Sequence, residues 1–372
     1  MTSSRRSFLK VTVAGLLSRV WLTGKPVYGQ TGQSTLVDSV RNLGSQFQNN
    51  EVGATGFDGA TSTPLPGDRA LWMFGDTVEG PFKSIRGLSL ADKLSNSAAI
   101  VPAQDASHGI QQFHFLAQPD AKKPRQLVLF APDEDPSIHR VWPMHGVCIG
   151  EYIYLFYHRI SLIEGVDVFD NFKLDGMGIA QAKTSDLVFE RLVAPDGTRE
   201  FWKENEPTFG VFVEQRDGYV YLWGSLLTGM FLARTRPTAI TDLDSYEYLV
   251  AAPTASNPDV EPRWSKTFQP TASLFDSVPN EMSAAYNSHL GKYVAVHSYL
   301  TENKIVLRTA PQLFGPWSDA QVVFTPERQQ ETESFYAAKE HPELARENGR
   351  IMYITFVNTA TYVPQLIELT LK

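Results

Sequence analysis

The sequence predicts an all-β fold made of five copies of one antiparallel unit, and three observations carry that prediction. First, a short aromatic strand follows a glycine-bearing turn five times: Leu71–Gly75, Tyr152–Tyr157, Tyr219–Trp223, Lys292–His297 and Ile351–Phe356, behind Gly67, Gly150, Gly218, Gly291 and Gly349. Second, extended segments flank each aromatic strand on both sides, as antiparallel hairpins require. Third, strong helical periodicity is absent outside the N-terminus, while Gly and Pro recur as turn-rich β proteins need. One supersecondary unit repeated with loops of unequal length marks a radial array. Four strands per unit and five units predict a five-bladed β-propeller.

The strand expected at the inner position of each unit precedes the aromatic one: Gly56–Leu65, Pro143–Ile149, Thr208–Gln215, Ser283–Leu290 and Phe335–Lys339. Gly67, the Arg216-Asp217-Gly218 turn and the Asn348-Gly349 turn supply the left-handed backbone that tight hairpins favour. Arg/Thr-rich third strands follow at Gly178–Thr184, Phe231–Thr235 and Ile305–Thr309, with outer strands at Phe189–Leu192 and Gln321–Phe324.

The first residues read as an address rather than as fold. Ser4–Lys10, with Arg5 and Arg6 paired ahead of Phe8-Leu9-Lys10, matches a twin-arginine export signature. A mild apolar stretch, Val11–Leu22, follows it, interrupted by Arg19 and too short to span a membrane. The expected division is a signal peptide over residues 1–29 and one propeller over 30–372, exported to the periplasm or beyond as a monomer without stable membrane insertion. The formal net charge is −8. No basic stripe is present to neutralise phosphates, so nucleic acid is not an expected partner. Cys148 is the sole cysteine. It lies in the apolar run Val147–Ile149, reads as a small packing residue, and leaves no intrachain disulfide to form.

The chemistry is expected at the open end of the first hairpin. Asp58 and Asp76 lie symmetrically about Gly67, nine residues on either side (58 to 67, 67 to 76). Directly opposed residues have Cβ atoms about 4.5–5.5 Å apart, so the two carboxylates should perturb one another. Paired carboxylates are what glycosidic hydrolysis uses: one protonates the leaving oxygen, the other activates water or attacks carbon. Gly59 and Gly75 beside them permit unusual dihedrals or close approach.

These residues also carry a resemblance. Gly56–Ala60 followed by Leu71–Thr77 resembles the opening blade of a bacterial domain-of-unknown-function family that includes endo-D-arabinanases acting on mycobacterial arabinan. Asn96-Ser97, Met282–Asn287 with Leu290–Tyr293, and Tyr336–Pro342 followed by Gly349–Thr355 extend the match over most of the chain. The resemblance implies that Asp58 and Asp76 are the catalytic carboxylates and that the substrate is a furanose-containing polysaccharide. The arabinanase and xylosidase types of propeller glycosidase place an acid at the start of the third inner strand. By that analogy of fold the acid would be Glu206.

Further residues reach the expected mouth by register. Glu281 and Glu333 precede the fourth and fifth inner strands, Tyr336 opens the fifth, and His145 lies in the second. Trp142, Trp202 and Trp264 each come before an inner strand, where flat rings suit the apolar faces of sugars. Trp142, His145, Trp202, Glu281, Glu333 and Tyr336 are therefore the candidate substrate contacts. No His/Glu spacing of the usual metal motifs occurs, so no cofactor is expected; a structural calcium in the channel stays open. Two other readings stay open as well. One is a glycan-binding propeller without catalysis. The other is a polysaccharide lyase using His145 or Tyr336 as base, disfavoured because the expected mouth is mostly acidic.

Overall fold

The computed structural model describes residues 34–82, 93–119, 122–163, 172–275, 281–299, 302–330 and 333–372. The expected leader, residues 1–29, lies outside them. The all-β expectation holds. Among the described residues there are six antiparallel sheets; five of them follow one another along the chain, and in each of these five the strands hydrogen-bond mostly in sequence order.

The first sheet contains Thr61–Leu65, Arg69–Phe74, Ser97–Pro102 and His114–Phe115. The second contains His139–Ile149, Tyr152–Leu162, Phe172–Lys183 and Glu190–Arg191, with Trp202–Lys203 also pairing to its third strand. The third runs Phe212–Arg216, Tyr219–Leu226, Gly229–Thr235, Glu247–Ala251 and Arg263–Ser265. The fourth runs Met282–Asn287, Lys292–Tyr299, Lys304–Ala310 and Gln321–Phe324. The fifth joins Phe335–Glu340, Ile351–Asn358 and Val363–Leu371 to Val37–Ser45, a strand from the start of the described chain. That N-terminal edge strand was not anticipated, because its exposed, polar pattern carries no aromatic signal.

In each of these five sheets the second strand is the aromatic one read from the sequence. Its apolar side chains alternate between the two faces and pack against the sheets before and after it. Trp72 and Trp223 are fully buried in this way, and burying each such ring contributes roughly 2–3 kcal/mol or more. Trp72 stacks on the His341 ring at 4.0 Å. It thereby joins the first sheet to the chain leaving the inner strand of the fifth.

The first strands of consecutive sheets are neighbours. The fifth returns to the first: Lys339 Nζ donates to Thr61 Oγ1 at 2.8 Å, and Ser62 Oγ lies 2.7 Å from His341 Nδ1. All five strands contribute to the wall of one cavity of about 320 Å³. Among the described residues no helix is long and apolar enough to cross a membrane.

Candidate active site

The first hairpin has the register the sequence implied. Thr61 pairs with Met73 and Leu65 with Arg69, and beyond an interruption Phe57 pairs with Thr77. That outer ladder belongs to a separate three-stranded sheet of Ala54–Phe57, Thr77–Glu79 and Lys93–Leu94. The interruption falls at the two aspartates. Asp58 N donates to Asp76 O at 2.9 Å, while Gly75 N, not Asp76 N, donates to Asp58 O at 2.8 Å. Two residues on one strand thus face one on the other, a bulge that re-aims side chains. Gly59 takes φ +61°, and a Cβ there would lie 2.8 Å from Glu281 Oε1. Only glycine fits that backbone beside that carboxylate.

Asp76 is buried, and both its oxygens are held. Lys93 Nζ donates to Oδ2 at 2.8 Å, Arg140 Nε lies 3.3 Å from Oδ1, and Trp142 Nε1 donates to Oδ1 at 3.1 Å. Lys93 and Arg140 are buried too. A carboxylate between two cations away from water is compensated in place. Removing one partner of such a group costs about 3–5 kcal/mol. Arg140 and Trp142 project together because they are two apart on one strand. Ser95 and Asn96 clamp the intervening residue: Val141 N donates to Ser95 Oγ at 2.6 Å, and Asn96 Nδ2 donates to Val141 O at 2.8 Å. Asn96 Oδ1 also accepts from Leu127 N and Val128 N, so this fully buried amide fixes three segments.

Asp58 has different company. Tyr336 Oη donates to its Oδ1 at 2.5 Å. Burial, then the charge of Glu281, pushes the Asp58 carboxyl up to about 7, with Asp76 adding to the shift and Tyr336 and Lys93 opposing it. Glu281 is paired with Lys339, Nζ to Oε1 at 2.6 Å. Tyr336 and Lys339 are three apart on a strand, so regular alternation would send them to opposite faces. A register shift between them, with Ala337 at φ +59°, brings both to the site. Tyr362 packs beside Tyr336 in one apolar cluster. Both phenols are pushed well above the usual tyrosine range, chiefly by burial and then by Asp58.

The other expected residues divide. His145 lines the cavity and accepts from Val213 N at 3.3 Å through Nδ1. Burial and the nearby Lys339 charge lower it to about 3, so it is neutral at ordinary pH. Glu206 is tied to its own turn, accepting from Lys203 N at 2.7 Å, and no described contact joins it to Asp58 or Asp76. Glu333 is buried and braces loops, accepting from Gln329 N and from Asn358 Nδ2.

Trp202 is a correction. It is 1% exposed, enclosed by Phe156, Phe209 and Tyr246, and offers no face to a ligand. Its short strand docks on the second sheet, so the position before an inner strand did not mean the mouth. Trp264 likewise lies in the outermost strand of the third sheet, under Arg234. Cys148 lines the cavity, and burial pushes its thiol up to about 11.

The expectation of a mostly acidic mouth is also corrected, because Lys93, Arg140 and Lys339 are all present. Each is committed to a carboxylate of the site. Lys93 carried no sequence signal, whereas Arg140 shares the strand periodicity of Trp142. Among the described residues no group of three or more His, Cys, Asp or Glu is arranged to hold a metal ion.

The model of a family described as a domain of unknown function, DUF4185, matches residues 45–367, in agreement with the resemblance read from the sequence. No curated protein matches the chain. Among solved structures, a candidate hydrolase from Bacteroides ovatus superposes with a TM-score of 0.62 at 16% identity, covering 88% of this chain and 87% of its own. A GH43_1 enzyme from Xanthomonas citri gives 0.49 at 12% identity, covering 89% of each chain. At these identities the first likeness speaks to the fold alone, and the second carries no argument.

Proposed function

This chain belongs to the DUF4185 family, and from that premise we propose that it is a glycoside hydrolase acting on a furanose-containing, arabinan-like polysaccharide. The observation that carries the reading is the pair Asp58 and Asp76, opposed across one hairpin and set in contrasting surroundings. Two titratable groups so separated by environment are the usual basis of an acid and an anion working together.

In the proposed mechanism Asp58, its proton retained near neutrality, protonates the departing glycosidic oxygen. Asp76, a carboxylate held by Lys93 and Arg140, faces the anomeric carbon as charge develops there. Their opposition on adjoining strands favours the short separation of retaining enzymes. Asp76 Oδ would then bond to the anomeric carbon as the leaving group departs with the proton from Asp58. Water, deprotonated by Asp58, would break that bond and restore both groups. Trp142 beside Asp76 supplies an apolar ring face for a sugar.

The proposed scaffold is a five-bladed propeller over residues 30–372, supported by the ring of five first strands around one cavity. Export through the twin-arginine route, as a monomer and with no cofactor, completes the proposal; replacing Arg5 and Arg6 with Lys should hold the precursor in the cytoplasm.

The test of the activity is release of new reducing ends from arabinan, arabinogalactan and related furanose polymers. Cleavage with retained anomeric configuration is expected. Glycan retention without cleavage across the panel would overturn the enzyme reading in favour of a binding module. Products absorbing in the ultraviolet would mark a lyase.

A further inference from the structure

We infer that Tyr336 is the positioning residue of Asp58, confining the carboxyl proton of Asp58 to Oδ2. The kinetic consequence rests on the glycoside hydrolase reading; the structural one does not. Tyr336 Oη lies 2.5 Å from Asp58 Oδ1. A phenol that keeps its proton is a donor in this bond, so Oδ1 accepts. An Oδ1 already accepting a short bond is the poorer site for a second proton. The proton of the neutral carboxyl therefore resides on Oδ2.

Oδ2 is turned toward the partner strand. A Cβ built on Gly75 would lie 3.0 Å from it. Gly75 has no positive φ, so the glycine at this position serves the oxygen above it and not the turn of the chain. The two ends of the carboxyl are thus differentiated: one is anchored by the fifth sheet, the other kept clear over the bulge next to Asp76.

Tyr336 is itself held. Tyr362 packs beside it in one apolar cluster and over Gly56, where a Cβ would lie 3.0 Å from the Tyr362 ring. The register shift that follows Tyr336 in its strand aims the ring at the first sheet. The other charged groups facing Asp58 are Glu281 with its partner Lys339, and Asp76 with Lys93. None of these donates to Oδ1.

The test is a carboxyl ¹³C NMR titration of Asp58 in the full chain, assigned by its loss in Asp58→Asn, compared with Tyr336→Phe. Losing a donor to the ionised form should raise the Asp58 pKa by about one unit. In assays the alkaline limb of kcat should move upward in step in Tyr336→Phe, with kcat reduced about tenfold and KM little changed. An Asp58 titration unmoved in Tyr336→Phe overturns the inference. If that variant does not fold, Gly75→Ala decides. Crowding Oδ2 should lower kcat while the Asp58 titration keeps its Tyr336 contribution, and full turnover in Gly75→Ala overturns the inference. A shifted titration with no cleavage of any glycan by the wild type sinks the hydrolase reading and leaves the role of Tyr336 standing.

Discussion

Asp58 and Asp76 face each other across one hairpin yet share no hydrogen-bond partner: Tyr336 binds the first, and Lys93 and Trp142 bind the second. The fifth sheet holds one carboxyl; the small three-stranded sheet, through Lys93, and the second sheet, through Trp142, hold the other. The pair is therefore built where three sheets meet.

Stability should fall as pH rises through the neutral range. Asp58 titrates at about 7 in the fold against 3.8 ordinarily, so between those values the native state holds a proton that the unfolded chain has released. Under linkage such a group destabilises increasingly as pH climbs from about 4 to about 7. Buried Glu340, raised to about 8, and Glu214 and Glu343, raised to about 7, act in the same direction, each chiefly through burial. The melting temperature is expected to be higher at pH 5 than at pH 8, and Asp58→Asn should narrow that difference. A melting temperature that rises from pH 5 to pH 8 would contradict this.

Lys93→Met should unfold the site. It leaves Asp76 buried with one cation fewer, at a cost of about 3–5 kcal/mol. The double variant Lys93→Met/Asp76→Asn should recover part of that stability and none of the activity. Denaturant midpoints of the four proteins give the coupling, and additive losses would show that the pair does not interact.

Trp142 and Trp202 should behave differently. Trp202→Ala empties a core position and should cost about 3–5 kcal/mol. Trp142→Ala should cost less, about 1.5–3 kcal/mol for the donor lost to buried Asp76, and lower turnover, since the ring is only partly buried. Comparing midpoint and kcat in the two variants checks this; the reverse pattern would remove Trp142 from the site.

Much of the fold was legible because aromatic strands behind turn glycines are local signals. The pairing of Asp58 with Asp76 was legible too, since hairpin register follows from the turn. Lys339 was hidden because a bulge breaks the alternation that would have placed it. Lys93 was hidden because it reaches Asp76 from a two-residue strand, Lys93–Leu94, too short to carry a period. Val37–Ser45 was hidden because its partner, Val363–Leu371, lies at the other end of the chain. Trp202 misled because proximity in sequence to an inner strand says nothing about which face a loop residue takes. What escaped reading was long-range or irregular; what was read was local and periodic.

The most direct test of the central claim is kcat on a cleavable furanose polymer for Asp58→Asn, Asp76→Asn and Glu206→Gln, measured beside wild type. Each aspartate variant should lose roughly 10²–10⁴-fold or more, with glycan binding kept. Glu206→Gln should keep its turnover and lose at most about 1 kcal/mol from its turn. Near-normal turnover in both aspartate variants, with activity abolished in Glu206→Gln, would contradict the account and move the chemistry to the third sheet.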